Sequence, residues 1–215
     1  MTKSEIKENI QRIDKKWYYY YNFDGIEVHK KAKDVKTRGL HNWSKLKETL
    51  IPVFETVGKP YVFDVGCNMG LLSHEMAKLG AKVLATDVDI EQALFFKRYI
   101  SENTNEKWNI DLRQIDIIND RVTNENVNII TMFGVLYWFM PHASEVVQNF
   151  QIDFPNHRFI VLQGNLQADK KKDRPLSKLP GMVKFLKEHN YTICNQYNWD
   201  NYQKPVVVGE RMLFS

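Results

Sequence analysis

Apolar positions along the chain change their period several times, and each change marks an element. Ile6, Ile10, Ile13 and Trp17 recur three to four residues apart, which predicts an amphipathic helix from residue 4 to about residue 18. The run WYYYYNFDGIEVHK follows; it is aromatic, is broken by Asp24-Gly25 and reads as a strand or hairpin-like segment. NWSKLKETLIPVF (42–54) returns to helical spacing and is bounded by Gly58 and Pro60.

From Tyr61 the alternation becomes regular. YVFDVG reads as a strand, LLSHEMAKLG as a helix closed by Gly80, KVLATD as a strand and IEQALFFKRYISEN as a helix. WNIDLRQIDI and VNIITMFGVLYWF read as strands, HASEVVQNFQIDF as a helix, HRFIVLQGN as a fifth strand and PGMVKFLKEHN as a helix. YTICNQYN and KPVVVGERMLFS close the chain as two strands with a short link, which predicts an antiparallel pair. Strand–helix alternation predicts an α/β fold, a doubly wound sheet of about seven strands with the last one antiparallel. The sheet domain is expected over 57–215, and residues 1–56 form a helical and aromatic extension that acts as a lid.

In such a sheet, ligands bind beyond the carboxyl ends of the strands, near the point where the strand order reverses. DVGCNMG lies there. Gly66 lets the chain turn sharply, Gly70 lets the next helix pack close, and the amides at that helix start suit a carboxylate. Asn68 stands where such loops often carry glycine, and asparagine is the side-chain-bearing residue most tolerant of left-handed backbone. A phosphate loop would need a lysine after the second glycine, and a dinucleotide loop a G-x-G-x-x-G spacing. Neither is present. The remaining class is S-adenosylmethionine, whose amino-acid end suits the turn and whose ribose suits an acid ending the second strand. Asp87 ends KVLATD about 20 residues beyond the turn, where such an acid belongs.

Taken together, FDVGCNMG, LATDVD, RQIDI and GVLYWF resemble, in order and spacing, the motifs of class I S-adenosylmethionine-dependent methyltransferases over about residues 60–215. The resemblance implies a Rossmann-like fold, S-adenosyl-L-methionine as cofactor and methyl transfer as the activity. It implies that Asp64, Gly66, Cys67, Asn68 and Gly70 surround the methionine part, that Asp87 takes the ribose and that Val88 is a further cofactor contact. Asp116 with Ile117 then meets the adenine edge, and Phe133 and Gly134 end the fourth strand beside the methyl group. A narrower similarity, to the tRNA wobble-uridine carboxymethoxy-type transferases, is carried by FDGIEVHKKAKDVKTRGLHNWSKL, DIEQALFFKRYI and FGVLYWF. Those enzymes typically read Leu-Tyr-His where this chain has Leu136-Tyr137-Trp138.

The catalytic candidates are Tyr137, at the mouth of the site, and His142, with His29 and His41 as further candidate bases. Asp89 is a nearby acid better placed to cap the following helix. No Asn-Pro-Pro-Tyr-type motif follows the fourth strand and no Pro-Cys nucleophile is present. Methyl transfer needs mainly an acceptor positioned in line with the sulfonium, so a missing base does not exclude it. The WYYYY tract either covers the core or lines the acceptor site, where aromatic rings can surround a sulfonium or stack a base.

Composition narrows the setting. At 215 residues and 43% hydrophobic, the chain suits one globular domain with an extension. No run approaches the ~20 apolar residues of a membrane span, and MTKSEIKENIQRIDKK lacks the apolar centre of a signal peptide. Cys67 and Cys194 form no metal-ligand pattern, so no metal is expected and a reduced, cytoplasmic protein is the simplest reading. The net charge of +4 is clumped in HKKAKDVKTR (29–38) and DKKKDR (169–174), runs that either solvate loops or meet phosphate. The expected function is methyl transfer to a small-molecule or RNA acceptor, in a pocket between the extension and the 164–180 loop. The alternatives are a non-methylating S-adenosylmethionine-binding protein and an enzyme that cleaves S-adenosylmethionine.

Overall fold

The computed structural model describes residues 1–13, 21–27, 35–165, 174–197 and 204–212. Helix α1 (Lys3–Ile13) and a small hairpin of β1 (Asn22–Phe23) and β2 (Ile26–Glu27) open the chain. Helix α2 (Val35–Val57) leads into a seven-stranded sheet. Its strands are β3 (Tyr61–Val65), β4 (Lys82–Asp87), β5 (Ile110–Gln114), β6 (Ile129–Phe133), β7 (Phe159–Gln163), β8 (Tyr191–Tyr197) and β9 (Val206–Arg211). Helices α3 (Leu71–Lys78), α4 (Glu91–Asn103), α5 (Ala143–Asp153) and α6 (Leu179–Glu188) connect them, with 3-10 turns at Leu136–Trp138 and Pro175–Ser177.

The strand order is β5-β4-β3-β6-β7-β9-β8, and β9 alone runs antiparallel to its neighbours. This is the doubly wound sheet with a reversed last strand that the alternation predicts. The chain winds outward from β3 to β5, then crosses back to β6, so the order reverses at the carboxyl ends of β3 and β6. β3, β6 and β7 are buried at every position, as central strands covered on both faces must be.

Residues of alternating parity along these strands feed two cores. On one face Phe63, Ile130 and Leu162 pack with Val147 and Phe150 of α5 and with Met182 and Leu186 of α6. On the other, Val62, Ile129 and Val161 pack with Leu46, Leu50 and Val53 of α2 and with Leu72 and Met76 of α3. A third cluster joins Ile6, Ile10 and Ile13 of α1 and Phe23 of the hairpin to Phe95, Phe96, Tyr99 and Ile100 of α4. Met69 and Leu71, at the start of α3, belong to that cluster too. Each fully buried side chain of this size contributes about 1.5–3 kcal/mol, so α1 and the hairpin are held by packing. α2, in turn, shares the core of the sheet.

Several boundaries move for local reasons. The strand expected over 127–139 stops at Phe133, because Gly134 takes a φ of 74° and the chain then coils into the 3-10 turn. The expected 108–117 strand narrows to β5. α2 starts seven residues earlier than the expected 42 and runs through Pro52. Within the helix expected to reach residue 18, positions 14–18 lie outside the described residues, as do Trp17 to Tyr20 of the aromatic tract.

Candidate active site

Between β3 and α3 the chain reverses through Gly66-Cys67-Asn68-Met69-Gly70. Gly66, Asn68 and Gly70 hold φ values of 71°, 53° and 77°, a left-handed conformation that only glycine and, less readily, asparagine adopt without much strain. The Gly66 and Cys67 amides both donate to the Thr86 carbonyl of β4, at 2.8 and 2.9 Å. Space is as restrictive as conformation at Gly66, where a Cβ would sit 2.5 Å from Val135 Cγ1. The turn is therefore wedged between β4 and the exit of β6.

Asp87 closes this arrangement. Its Oδ2 accepts the Asn68 amide at 2.8 Å and its Oδ1 accepts the Asp89 amide at 3.2 Å. Two residues expected to serve one ligand are thus bonded to each other, and the acid shapes the turn. Burial raises the Asp87 carboxyl above its ordinary range, partly offset by those amides. Asp89 accepts the Glu91 amide at 3.0 Å just before α4, a local two-residue link, while Ile90 rather than Asp89 holds the cap position expected for it.

Asp64 lies deeper. Its carboxylate accepts the Ser73 hydroxyl at 2.5 Å and the Thr131 hydroxyl at 2.7 Å, tying the first turn of α3 and the middle of β6 to β3. Burial pushes its pKa up to about 6, against the two hydroxyls, which lower it. Sequence reasoning missed both partners. Thr131 carried a signal, as the one hydroxyl in the apolar run VNIITMF. Cys67 is buried beside these acids; desolvation foremost, and then their charges, push its thiol well above the ordinary range, so it stays protonated.

The turn fits the methionine end, ribose and adenine of S-adenosylmethionine. α3 starts at Gly70 with no side-chain cap, which leaves first-turn amides for a carboxylate. Asn68 Oδ1 is buried without a hydrogen-bond partner. Val88, next to Asp87, is 60% exposed, an apolar side chain uncovered beside a ribose-type acid. Among the described residues no group of three or more His, Cys, Asp or Glu side chains is arranged to hold a metal.

The other expected residues lie along the same carboxyl edge. Asp116 follows β5 and turns its carboxylate onto the Ile118 amide (3.1 Å) and the Asn119 side chain (2.7 Å), while the Ile117 side chain is buried in the core. Phe133 is buried at the end of β6, and the Gly134 amide donates to the Gln163 carbonyl. Tyr137 is buried too, and its hydroxyl accepts Asn165 Nδ2 at 3.4 Å. The Arg174 guanidinium lies 4.4 Å from the Trp138 ring centroid and 5.2 Å from that of Tyr137. Sequence reading missed Asn165 and Arg174 as partners, which are 28 and 37 positions from Tyr137. His142 opens α5, exposed, with Nδ1 3.5 Å from Glu145. His29, the side chain of His41 and Lys170 to Asp173 of the basic run lie outside the described residues.

A family model described as a methyltransferase domain matches residues 63–151, the span from β3 to near the end of α5. No curated protein sequence matches the chain. Among solved structures, magnesium protoporphyrin IX methyltransferase from Synechocystis PCC 6803, with S-adenosylmethionine bound, aligns at 16% identity and a TM-score of 0.63, over 85% of this chain and 86% of that one. The N-methyltransferase NodS from Bradyrhizobium japonicum WM9, bound to S-adenosyl-L-homocysteine, aligns at 13% identity and a TM-score of 0.61, over 79% and 87%. The bifunctional kinase-methyltransferase WbdD aligns at 15% identity and a TM-score of 0.58, over 79% of this chain and only 39% of its own. At these identities the structures establish the fold, and the family model speaks to the domain.

Proposed function

We propose that this chain is a class I, S-adenosylmethionine-dependent methyltransferase that methylates a small-molecule or RNA acceptor held at the carboxyl edge of its sheet, a reading supported by the methyltransferase-domain model over residues 63–151 and by the shared fold. The observation that carries the site assignment is the Asn68–Asp87 hydrogen bond, which fastens a left-handed turn to the acid ending the second strand. When bound, the cofactor supplies the methyl group from its sulfonium.

The residues of the chain then divide the task. Asp87 keeps lone pairs for ribose hydroxyls, and the uncapped start of α3 holds the amino-acid carboxylate. Asp64 acts from beneath by keeping β3, α3 and β6 in register. Asp116 and the Ile117 main chain border the adenine, with Val88 against its face. Phe133 and Gly134 border the reacting methyl, and Tyr137, braced by Asn165, orients the acceptor. Where the acceptor must lose a proton, His142 takes it, with Glu145 holding the imidazole. Of the expected extension 1–56, α1 and the hairpin act as the lid, a reading supported by their packing with Met69 and Leu71, while α2 belongs to the sheet core. The two basic runs favour an RNA acceptor, as in the tRNA wobble-uridine group. Among the described residues no helix is long and apolar enough to cross a membrane.

Calorimetry with S-adenosylmethionine and S-adenosyl-L-homocysteine, with NAD as control, tests the cofactor site. Both sulfur ligands should bind and NAD should not; binding of NAD alone would overturn the assignment. A methylated product, detected by mass spectrometry, separates transfer from binding or cleavage.

A further inference from the structure

A cavity of about 1150 Å³ opens at the end of the sheet opposite the glycine turn. It is formed where α5 runs into β7, where α6 runs into β8 and where β9 ends. With strands of about five residues rising ~3.3 Å each, it lies roughly 16 Å from the turn along the strands. Its polar lining includes Lys187, Arg211, Asn156, Asn190 and Thr192, and no aspartate or glutamate lines it.

Among the described residues no acid pairs with either cation. The side-chain contacts of Arg211 with described residues run through Nη1, which lies 3.4 Å from the Gln151 and Pro155 carbonyls and 3.4 Å from His157 Nδ1. Among the described residues its Nε–Nη2 edge, the fork suited to two oxygens of an oxyanion, has no partner. Neither does Lys187 Nζ, in the last turn of α6. Acids close to these cations in sequence or on the lining elements are paired elsewhere: Asp153 with Arg121 at 2.6 Å, Glu210 with Arg158 at 2.6 Å and Glu188 with Lys184 at 3.8 Å. His157, behind Arg211, accepts the Tyr191 hydroxyl on Nε2 at 2.6 Å and points Nδ1 at the Phe154 carbonyl at 2.6 Å. Its ring is thus accounted for as neutral, and burial holds its pKa down to about 4.

We propose that this cavity binds a phosphate group, with Arg211 as the bidentate fork and Lys187 as the second charge. A phosphomonoester carries close to two negative charges at neutral pH, which match two cations that no acid among the described residues compensates. The side-chain amides and Thr192 supply further donors, and Ile193 and Met212 provide apolar contact for the body of an organic phosphate. The site stands apart from the methyl-transfer edge and does not depend on what is bound there.

The test is calorimetry of the full chain with inorganic phosphate, against chloride at equal ionic strength. Phosphate should bind with a dissociation constant of about 1 mM or tighter. Lys187→Glu, at an exposed position, should weaken it about tenfold or more. Arg211→Lys, which keeps the charge and loses the fork, should weaken it about fivefold; a thermal melt shows whether that variant is folded. Affinity for S-adenosyl-L-homocysteine should be unchanged in both. A nucleoside 5′-monophosphate and a short oligoribonucleotide, titrated in parallel, distinguish a free phosphate ester from a nucleic-acid backbone, and sensitivity of either to Lys187→Glu supports the site. Phosphate behaving like chloride, or binding that ignores both substitutions, would overturn it.

Discussion

Around β3 and β4 the carboxyl edge of the sheet is a network of short polar links. Main-chain amides of the turn meet a carbonyl and a carboxylate of the next strand, and a buried acid holds two hydroxyls beneath them. Around β6 and β7 the same edge carries rings: Tyr137 and Trp138 under Arg174, with one long hydrogen bond to Asn165. The first half is arranged to accept one ligand in one pose, since each donor and acceptor is fixed by backbone. The second presents flat, polarisable surface, which suits an acceptor whose identity differs from one relative to the next. A shared fold therefore identifies the cofactor far sooner than the substrate.

The hardest test of that contrast is Gly66→Ala. A left-handed alanine costs about 1–2 kcal/mol, and its Cβ must also displace Val135. Affinity for S-adenosyl-L-homocysteine should fall by about a hundredfold or more, as read by calorimetry. Adding Val135→Ala should restore part of it, because the steric share of the loss is then relieved. Full affinity in the single variant would mean that the turn is not the cradle.

Asp87→Ala comes next. Charge-assisted hydrogen bonds of about 1.5–3 kcal/mol are lost, so cofactor affinity should drop about tenfold or more; the thermal midpoint should fall by a few degrees without loss of the fold, because the Asn68 and Asp89 amides lose their acceptor. An unchanged dissociation constant would shift the ribose contact elsewhere, Asp89 being the nearest acid.

A pH series extends the comparison to the two ends of the sheet, through Asp64 near the carboxyl edge and His157 at the amino end of β7. Asp64 ordinarily titrates at 3.8 and sits at about 6 when folded, so in between the folded chain holds a proton that the unfolded chain has released. Its contribution to stability is complete below about 4 and is lost as pH rises through 6. His157 does the reverse: ordinarily at 6.5 and held near 4, it stabilises the fold above 6.5 and loses that contribution as pH falls toward 4. The two slopes oppose each other over one window. Asp64→Asn should steepen the loss of stability between pH 6.5 and 4, and His157→Gln should flatten it, both measured as urea midpoints. Parallel curves for all three proteins would show that neither group titrates as its burial implies.

The smallest expected effect is that of Trp138→Ala. The indole is 58% exposed, so cofactor affinity should stay within about twofold and the melting midpoint should barely move. Methyl transfer to an acceptor in cell extract, followed with labelled cofactor, should fall instead. Equal transfer would remove Trp138 from acceptor binding.

What could be read from the residues follows the same division. The glycine turn, Asp87 and the left-handed Asn68 were legible because their geometry is dictated over a few neighbours and by a strand-to-strand spacing of about 20 residues. The reversed last strand was legible from a link too short for a crossover. Thr131 and Ser73 were not assigned, because their hydroxyls matter only once β6 and α3 converge on Asp64. Arg174 was read as part of a basic run, and its stacking on Trp138 depends on two loops meeting across the sheet edge. His157 looked like the first residue of a strand, yet it is buried against Tyr191, 34 positions away.

The docking of α1 on α4 has a consequence for how the chain comes to be made. Ile6, Ile10 and Ile13 find their partners at Phe95, Phe96, Tyr99 and Ile100, so a ribosome must add about 90 further residues before that stripe can be covered. At 5–20 residues per second this is roughly 5–20 s, and an isolated 11-residue helix is marginal in water throughout that wait. During translation the segment is thus a sticky, largely unstructured leader, a natural client for a holding chaperone. Its docking completes the flank of Met69 and Leu71, so the ligand turn gains its final rigidity only after α4 has left the exit tunnel.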